Sequence, residues 1–421
     1  MERRVRITET IKTILILILL LTLVVMSAAL VSELVTGRNL SRWAREALGW
    51  AEPELAYTEV GGAYPAAATP LAITMAGSNG RGSAVGDPTY TAALYESFGR
   101  YLGEALAMAS APVTLKRELW QALLCGESVS FLYPGQIPLE SLALWLGAEP
   151  TSALSNLSAQ WVSLCVDDSR VALLVQEDHT WLCFSTAISP EHLRQALESC
   201  RPDGSIFAME DEVLSRIDPM SLLTVSTALR QTLCDNPLAN GDRIDAAAEL
   251  LGLNPYRDTA YTSEDGTVSF SAGTGRLQVT GGGTLTYQAA EAAQVIPGGD
   301  PALIDAARQL LMQLSDGLTG DASLQLSGFV RDGQTVRILF DYVLDGYAVR
   351  QSSGHGAEFV YENGSMRELR WQARRYTLTE SLQTLLPGRQ ASAIVTEGTR
   401  LMPIYRDSGS GVTCGWPDSD A

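Results

Sequence analysis

The order of apolar and polar positions divides the chain into segments of different period. From Thr13 to Ser32 the run TILILILLLTLVVMSAALVS carries no charge, and Lys12 and Glu33 flank it. At about 1.5 Å per residue, a helix of this length crosses the roughly 30 Å of a bilayer's hydrocarbon. Further on, Asp87-Pro88 supplies an N-cap and a first-turn proline, and Leu94, Phe98, Tyr101, Leu102 and Ala105 recur at helical spacing. Short strands are predicted at Leu71–Met75, Ser128–Tyr133, Gln160–Cys165, Arg170–Gln176 and Thr180–Phe184, the last three joined by Asp167-Asp168 and Glu177-Asp178 turns. Pro138 opens a short helix that stops at Gly147, and Ser189-Pro190 opens another that runs to Cys200.

Pro202-Asp203-Gly204 reads as a turn and a boundary. Beyond it one outline occurs twice. Ile244, Ala247, Ala248 and Leu251 form a helix ended by Gly252, followed by strands at Thr267–Ser271, Arg276–Thr280 and Thr284–Gln288. Asp300-Pro301 then caps a helix with Leu303, Ala307, Leu310, Leu311 and Leu314 on one face, ended by Gly317. Strands follow at Ser323–Val330, Thr335–Val343, Tyr347–Arg350 and Glu358–Tyr361, with turns at Asp332-Gly333, Asp345-Gly346 and Asn363-Gly364. A helix near Thr379–Leu386 and strands at Ala393–Thr396 and Arg400–Tyr405 close the chain. The fold class is therefore α+β: one N-terminal transmembrane helix, then helices packed on antiparallel meanders, with a repeated helix-plus-sheet unit in the C-terminal half. The expected division is 1–12, a cytoplasmic N-terminus; 13–32, the spanning helix; 33–60, a juxtamembrane helix and linker; and ectodomain blocks 61–204, 205–298 and 299–421.

Charge orients this arrangement. Residues 1–12 hold Arg3, Arg4, Arg6 and Lys12 against Glu2 and Glu9, a net +2, so with a total of −18 the rest of the chain carries about −20. The positive-inside bias keeps the N-terminus cytoplasmic and places the remainder outside. A cleaved signal peptide is the rival reading, because Ser27-Ala28-Ala29 has the small residues a signal peptidase reads. A chain this acidic would repel phosphate backbones, so no nucleic-acid partner is expected.

Candidate chemistry is sparse. Ala76-Gly77-Ser78-Asn79-Gly80 is a poor match to a nucleophile elbow, and a plain glycine-rich loop is the preferred reading of Ser78. His179 and Cys183 are four apart with no second ligand pair, and Glu210-Asp211-Glu212 lacks the alternating ligands of a calcium loop. Neither reads as a metal site. Lys116 has Val113 three residues before it, so Ser-x-x-Lys chemistry is excluded. Cys125, Cys165, Cys183, Cys200, Cys234 and Cys414 contain no Cys-x-x-Cys; buried thiols are the preferred reading, with disulfides left open. The expectation is a protein that is not an enzyme and has no catalytic, cofactor-binding or metal-binding residues.

Several passages carry a resemblance. They are Ile137-Pro138-Leu139 with Leu142-Ala143 and Trp145-Leu146-Gly147; Leu253-Asn254-Pro255-Tyr256 with Tyr261 and Asp265-Gly266-Thr267; Gly320-Asp321; VRILFDYVLDG from Val336 to Gly346; Arg374-Arg375-Tyr376; and Leu385-Leu386-Pro387 with Gln390-Ala391. The ending Leu401-Met402-Pro403-Ile404-Tyr405, then Gly415-Trp416, completes the set. With the apolar N-terminal helix, these make the chain resemble the YycH/YycI family, membrane-anchored extracytoplasmic regulators of the WalK sensor histidine kinase. Its few lysines and the Gly/Ala/Pro-rich stretch before Pro88 depart from the family pattern. The resemblance implies a non-enzymatic regulator of cell-wall homeostasis in the cell membrane, with a sensor histidine kinase and a paralogous anchored regulator as partners. Ser27, Ala28 and Ala29 are the candidate intramembrane interface, since small residues let helices pack closely in lipid. The alternatives are an extracytoplasmic ligand-binding module, expected to show an apolar pocket, and an envelope-polymer hydrolase, expected to bring Asp167 and Asp168 near a further acid.

Overall fold

The structure is a computed structural model, and it describes residues 68–417 except 168, 178, 179, 226, 240, 255–258, 274 and 291–294. Seven α-helices and twenty-two strands among these residues make an α+β fold in which nearly all strand pairs are antiparallel. No helix among the described residues is long and apolar enough to cross a membrane. The expected spanning helix Thr13–Ser32, the candidate interface Ser27, Ala28 and Ala29, and the 33–60 segment lie outside them.

The first sheet has seven strands in the order β2-β1-β4-β5-β6-β7-β3: β1 Ala72–Gly77, β2 Gly80–Val85, β3 Val113–Leu115, β4 Ser128–Pro138, β5 Ser158–Asp167, β6 Arg170–Glu177 and β7 Thr180–Ser185. Helices α1 Pro88–Ala107, α3 Leu139–Trp145 and α4 Pro190–Leu197 cover one face, and α2 Arg117–Cys125 lies on the other. The start of α1 is chemically fixed: the Asp87 carboxylate accepts from the Tyr90 N–H at 2.9 Å, and Pro88 occupies a position that needs no donor. Its apolar stripe, Leu94, Phe98, Leu102 and Ala105, is buried.

The second sheet has eleven strands. After α5 Gly241–Leu250 come β11 Thr259–Thr262, β12 Val268–Ala272, β13 Gly275–Val279 and β14 Thr284–Ala289. After α6 Gly299–Ser315 come β15 Ala322–Asp332, β16 Thr335–Leu344, β17 Tyr347–Gln351, β18 Ala357–Glu362 and β19 Ser365–Gln372. The blocks 205–298 and 299–421 share this sheet, because β14 pairs with β19 from Thr284↔Gln372 to Gln288↔Glu368. Two tight turns match the sequence reading closely: Asp345-Gly346 and Asn363-Gly364 have positive φ at both residues, as type I′ turns need. β21 Ile404–Asp407 joins β17 in the parallel sense, and β22 Val412–Gly415 closes the sheet. Helices α3 and α6 meet, so one apolar core runs from the first sheet to the second.

Several expectations are corrected. Thr379–Leu386 is not a helix: β20 Arg375–Thr384 is a strand paired with β10 Ala228–Asp235. Leu378, Leu382 and Leu385 imitate helical spacing, but a bulge opposite Arg230–Thr232 shifts the register, and the β-branched Thr377, Thr379 and Thr384 suit an extended chain. Residues 393–396 form turns after α7 Gly388–Ala391, and the last extended stretch starts at Ile404 rather than Arg400. The glycine-rich stretch from Gly80 is strand β2. Asp300 does not cap α6, which starts at Gly299; its carboxylate pairs with Arg331 instead.

The sheets also touch directly. Residues 133–136 of β4 leave the β4–β5 register, and Gly135 there abuts β15, where a Cβ would overlap the Ser327 carbonyl oxygen. Gly135→Ala should therefore lower unfolding free energy by about 1–3 kcal/mol in a urea titration. An unchanged midpoint would mean that β4 and β15 do not pack this closely.

Candidate functional site

The residues with candidate chemistry do not converge. Ser78 and Asn79 form the two-residue turn between β1 and β2, and α1 starts only at Pro88, so the strand–turn–helix geometry of a nucleophile elbow is not formed. Asp167 ends β5 opposite Arg170. Glu210, Asp211 and Glu212 are divided among different tasks: Glu210 pairs with Arg81 at 2.5 Å, and Asp211 pairs with Arg389 at 2.6 Å and caps a 3-10 turn by accepting from the Val213 N–H. No cluster of three potential metal ligands occurs among the described residues. His179, Asp168 and Asp178 lie outside the described residues.

The turn at Ser78 does line a cavity of about 120 Å³, with Glu127, Arg194, Glu198 and Cys200 as further walls. Arg194 Nε donates to Glu127 Oε2 at 2.8 Å, so the opposite charges there face each other. A second cavity of about 10 Å³ is mainly apolar and lies between Trp161, Met220 and Met402. Drug-sized ligands occupy clefts of roughly 300–1,000 Å³, well above either volume.

The strongest electrostatic feature is a buried carboxylate. Asp407, 3% exposed at the end of β21, accepts from the Tyr376 hydroxyl at 2.8 Å, Arg374 Nε at 3.2 Å, the Cys234 thiol at 3.7 Å and the Gly409 N–H at 2.7 Å. These partners come from β20, the β19–β20 link, β10 and the turn after β21. Arg374 also donates through Nη1 to the Gly282 carbonyl at 2.7 Å. Beside it, the buried Tyr342 hydroxyl receives Trp371 Nε1 and the Arg374 N–H, each at 3.1 Å, and donates to the Gln372 carbonyl. Burial pushes the Cys234 thiol up to about 12, with the Asp407 charge adding to the effect. Burial also raises the Tyr376 phenol, so both groups stay protonated and serve as donors. The arrangement ties strands together, with four donors meeting the Asp407 carboxylate.

All six cysteines are free thiols. Cys165, Cys200 and Cys414 are buried, as expected of small apolar residues, but Cys125 is exposed at the C-terminal end of α2 despite the apolar run before it.

Apolar side chains are also presented outward. Leu233 and Leu382, 67% and 62% exposed, lie on paired strands of the β10–β20 ribbon. Val113 sits on the edge strand β3 and Tyr261 on the edge strand β11, each more than 60% exposed. Such edges offer unpaired backbone groups to another chain. Sequence reasoning missed the ribbon because its second strand imitated a helix. Comparison with protein-family models, with curated proteins and with solved structures finds no match.

One surface pair responds to pH. His355 Nδ1 lies 3.0 Å from Asp341 Oδ1, and this hydrogen bond, helped by the Asp341 and Glu358 charges, raises the imidazole pKa. A raised folded-state pKa adds stability that is complete below the unfolded value of about 6.5 and is lost as pH rises through the folded value. The unfolding free energy of the unsubstituted protein, relative to His355→Gln, should therefore fall as pH rises from about 6.5 through the raised folded-state value. A difference that stays flat across this range would contradict the pairing.

Proposed function

We propose that the chain is a membrane-anchored extracytoplasmic regulator of a two-component sensor histidine kinase that controls cell-wall homeostasis, acting through protein contacts rather than chemistry. The observation that carries this reading is the pair of exposed leucines, Leu233 and Leu382, on the two-stranded ribbon. Leu382 stands opposite Arg230 and Leu233 opposite Thr377, and each exposed apolar side chain gains free energy when a partner covers it. The edge strands β3 and β11 add backbone groups for strand addition. The apolar run Thr13–Ser32 and its flanking charges support the anchor, with the N-terminus in the cytoplasm and the rest outside the cell membrane. Ser27, Ala28 and Ala29 fit close packing against a kinase helix in lipid. The resemblance to the YycH/YycI family supplies the kinase and a paralogous anchored regulator as partners. A regulator of this kind works by contacting two kinase states with different affinity.

The test is a membrane pull-down with three forms of the full chain: unsubstituted, with Thr13–Ser32 replaced by an unrelated spanning sequence, and with Leu233→Asp and Leu382→Asp together. The unsubstituted chain should recover a histidine kinase, the helix swap should lose it, and the double substitution should lower recovery at least about tenfold. Failure of the unsubstituted chain to recover any kinase, while folded and anchored, would refute the proposal.

A further inference from the structure

The face of the first sheet that bears Trp161 and Cys165 is covered in part by a module built from two distant stretches, 204–223 and 387–403. The first stretch contains β8 Ile206–Phe207, β9 Leu222–Leu223 and two 3-10 turns; the second contains α7. They are bound to each other by the cluster Leu214, Ile217, Leu223, Ala391, Val395 and Leu401. Backbone bonds join them from the Asp218 N–H to Thr399 O at 3.0 Å and from the Gly398 N–H to Arg216 O at 2.8 Å. Charged pairs join them as well, Asp211 with Arg389 and Asp218 with Arg400. Both stretches leave through Thr227 and Leu385, bonded to each other at 3.0 Å, into the β10–β20 ribbon. The module is thus cross-bonded internally and joined to a two-stranded arm, while its other two ends run into Asp203, held by Ser83 of β2, and into β21.

Its attachment to the first sheet is of a different quality. Phe207 meets Trp161 edge to face at 5.8 Å, and Arg400 reaches across to Gln160 and Gln176. Asp203, just before the first stretch, accepts from the Ser83 N–H and hydroxyl of β2, and a further tie is Arg81 of β2, whose side chain is 6% exposed. Its Nη2 bonds Glu210 and the Leu124 carbonyl, and its guanidinium lies 4.3 Å over the Phe207 ring. Its Nε and Nη1, like Trp161 Nε1, are buried with no hydrogen-bond partner among the described residues. Each buried donor without an acceptor carries its full desolvation penalty, and a buried ion pair recovers its own only when every donor is matched. Closing this contact therefore carries the desolvation cost of three unmatched donors.

We infer that residues 204–223 and 387–403 form a clasp that lifts from the first sheet as a unit while both sheets stay folded, with Arg81–Glu210 as its weak latch. Such a segment opens locally, below the free energy of global unfolding. Lifting parts Phe207 and Met220 from the apolar cluster they share with Trp161 and Cys165. Cys165 is the natural reporter: it is fully buried, and burial raises its thiol pKa well above the ordinary value, so it reacts with an alkylating reagent only when uncovered.

The experiment follows alkylation of Cys165 by iodoacetamide in the full-length protein, resolved by peptide mass spectrometry, across low urea concentrations. The clasp predicts labelling well below the unfolding transition, with a urea dependence less than about half that of global unfolding. Arg81→Leu with Glu210→Gln removes both charges and should slow Cys165 labelling about tenfold or more. Labelling that tracks global unfolding, or a double variant that labels as fast as the unsubstituted protein or faster, would overturn the inference. If the double variant does not fold, the urea dependence of the unsubstituted protein decides alone.

Discussion

A carboxylate taken out of water must be met on every side, and Asp407 shows what that requires of the chain around it. Its ionised form would cost several kcal/mol in an apolar interior without compensation. Tyr376, Arg374, Cys234 and Gly409 supply that compensation from segments far apart in sequence. Because those donors must be in place together, the β10–β20 ribbon, the end of β21 and the loop at Gly282 are fixed relative to one another. Tyr342 repeats the device beside it, accepting from Trp371 of β19 and from the Arg374 N–H. A buried carboxylate that must meet several donors at once specifies one arrangement of strands where apolar contacts alone would tolerate several.

Arginines extend this pattern outward from the same point. Arg400 joins the clasp to the first sheet, Arg230 joins the ribbon to the Asp345 turn, and Arg375 closes onto Asp235 across β10 and β20. In a chain with far more acids than bases, these arginines serve as cross-links between distant segments, and the planar guanidinium suits that work because it donates in several directions at once. Arg81 is the exception, since its guanidinium is buried with two nitrogens unmatched. Rigidity and latent mobility thus both follow from how completely the donors are met. Matched groups hold the frame that presents Leu233 and Leu382, and the unmatched guanidinium lies at the latch of the segment inferred to lift.

Much of this architecture was legible in the chain. Asp87-Pro88 defined the start of α1, and the Asp-Gly and Asn-Gly pairs located the hairpins of the second sheet, because local backbone chemistry decides both. The sheet order was not legible, since the β14–β19 pairing joins segments that local patterns treat as separate units. Nor was the ribbon, whose leucines fall at helical intervals through a bulge that only the partner strand reveals. The polar centre escaped for a related reason: Asp407, Arg374 and Cys234 share no motif, and only long-range pairing brings them together. Glu210 and Asp211 stood out as an acidic run, but their partners Arg81 and Arg389 lie far away in the chain on either side.

That the Asp407 centre holds the ribbon to the second sheet is open to a direct test. Asp407→Asn keeps the size of the side chain but removes the charge opposite Arg374, and breaking a buried pair in this way costs about 3–5 kcal/mol. A urea titration should show a loss of that order, accompanied by rapid amide exchange in β10 and β20. A midpoint within about 0.5 kcal/mol of the unsubstituted protein, with the ribbon amides still protected, would contradict it.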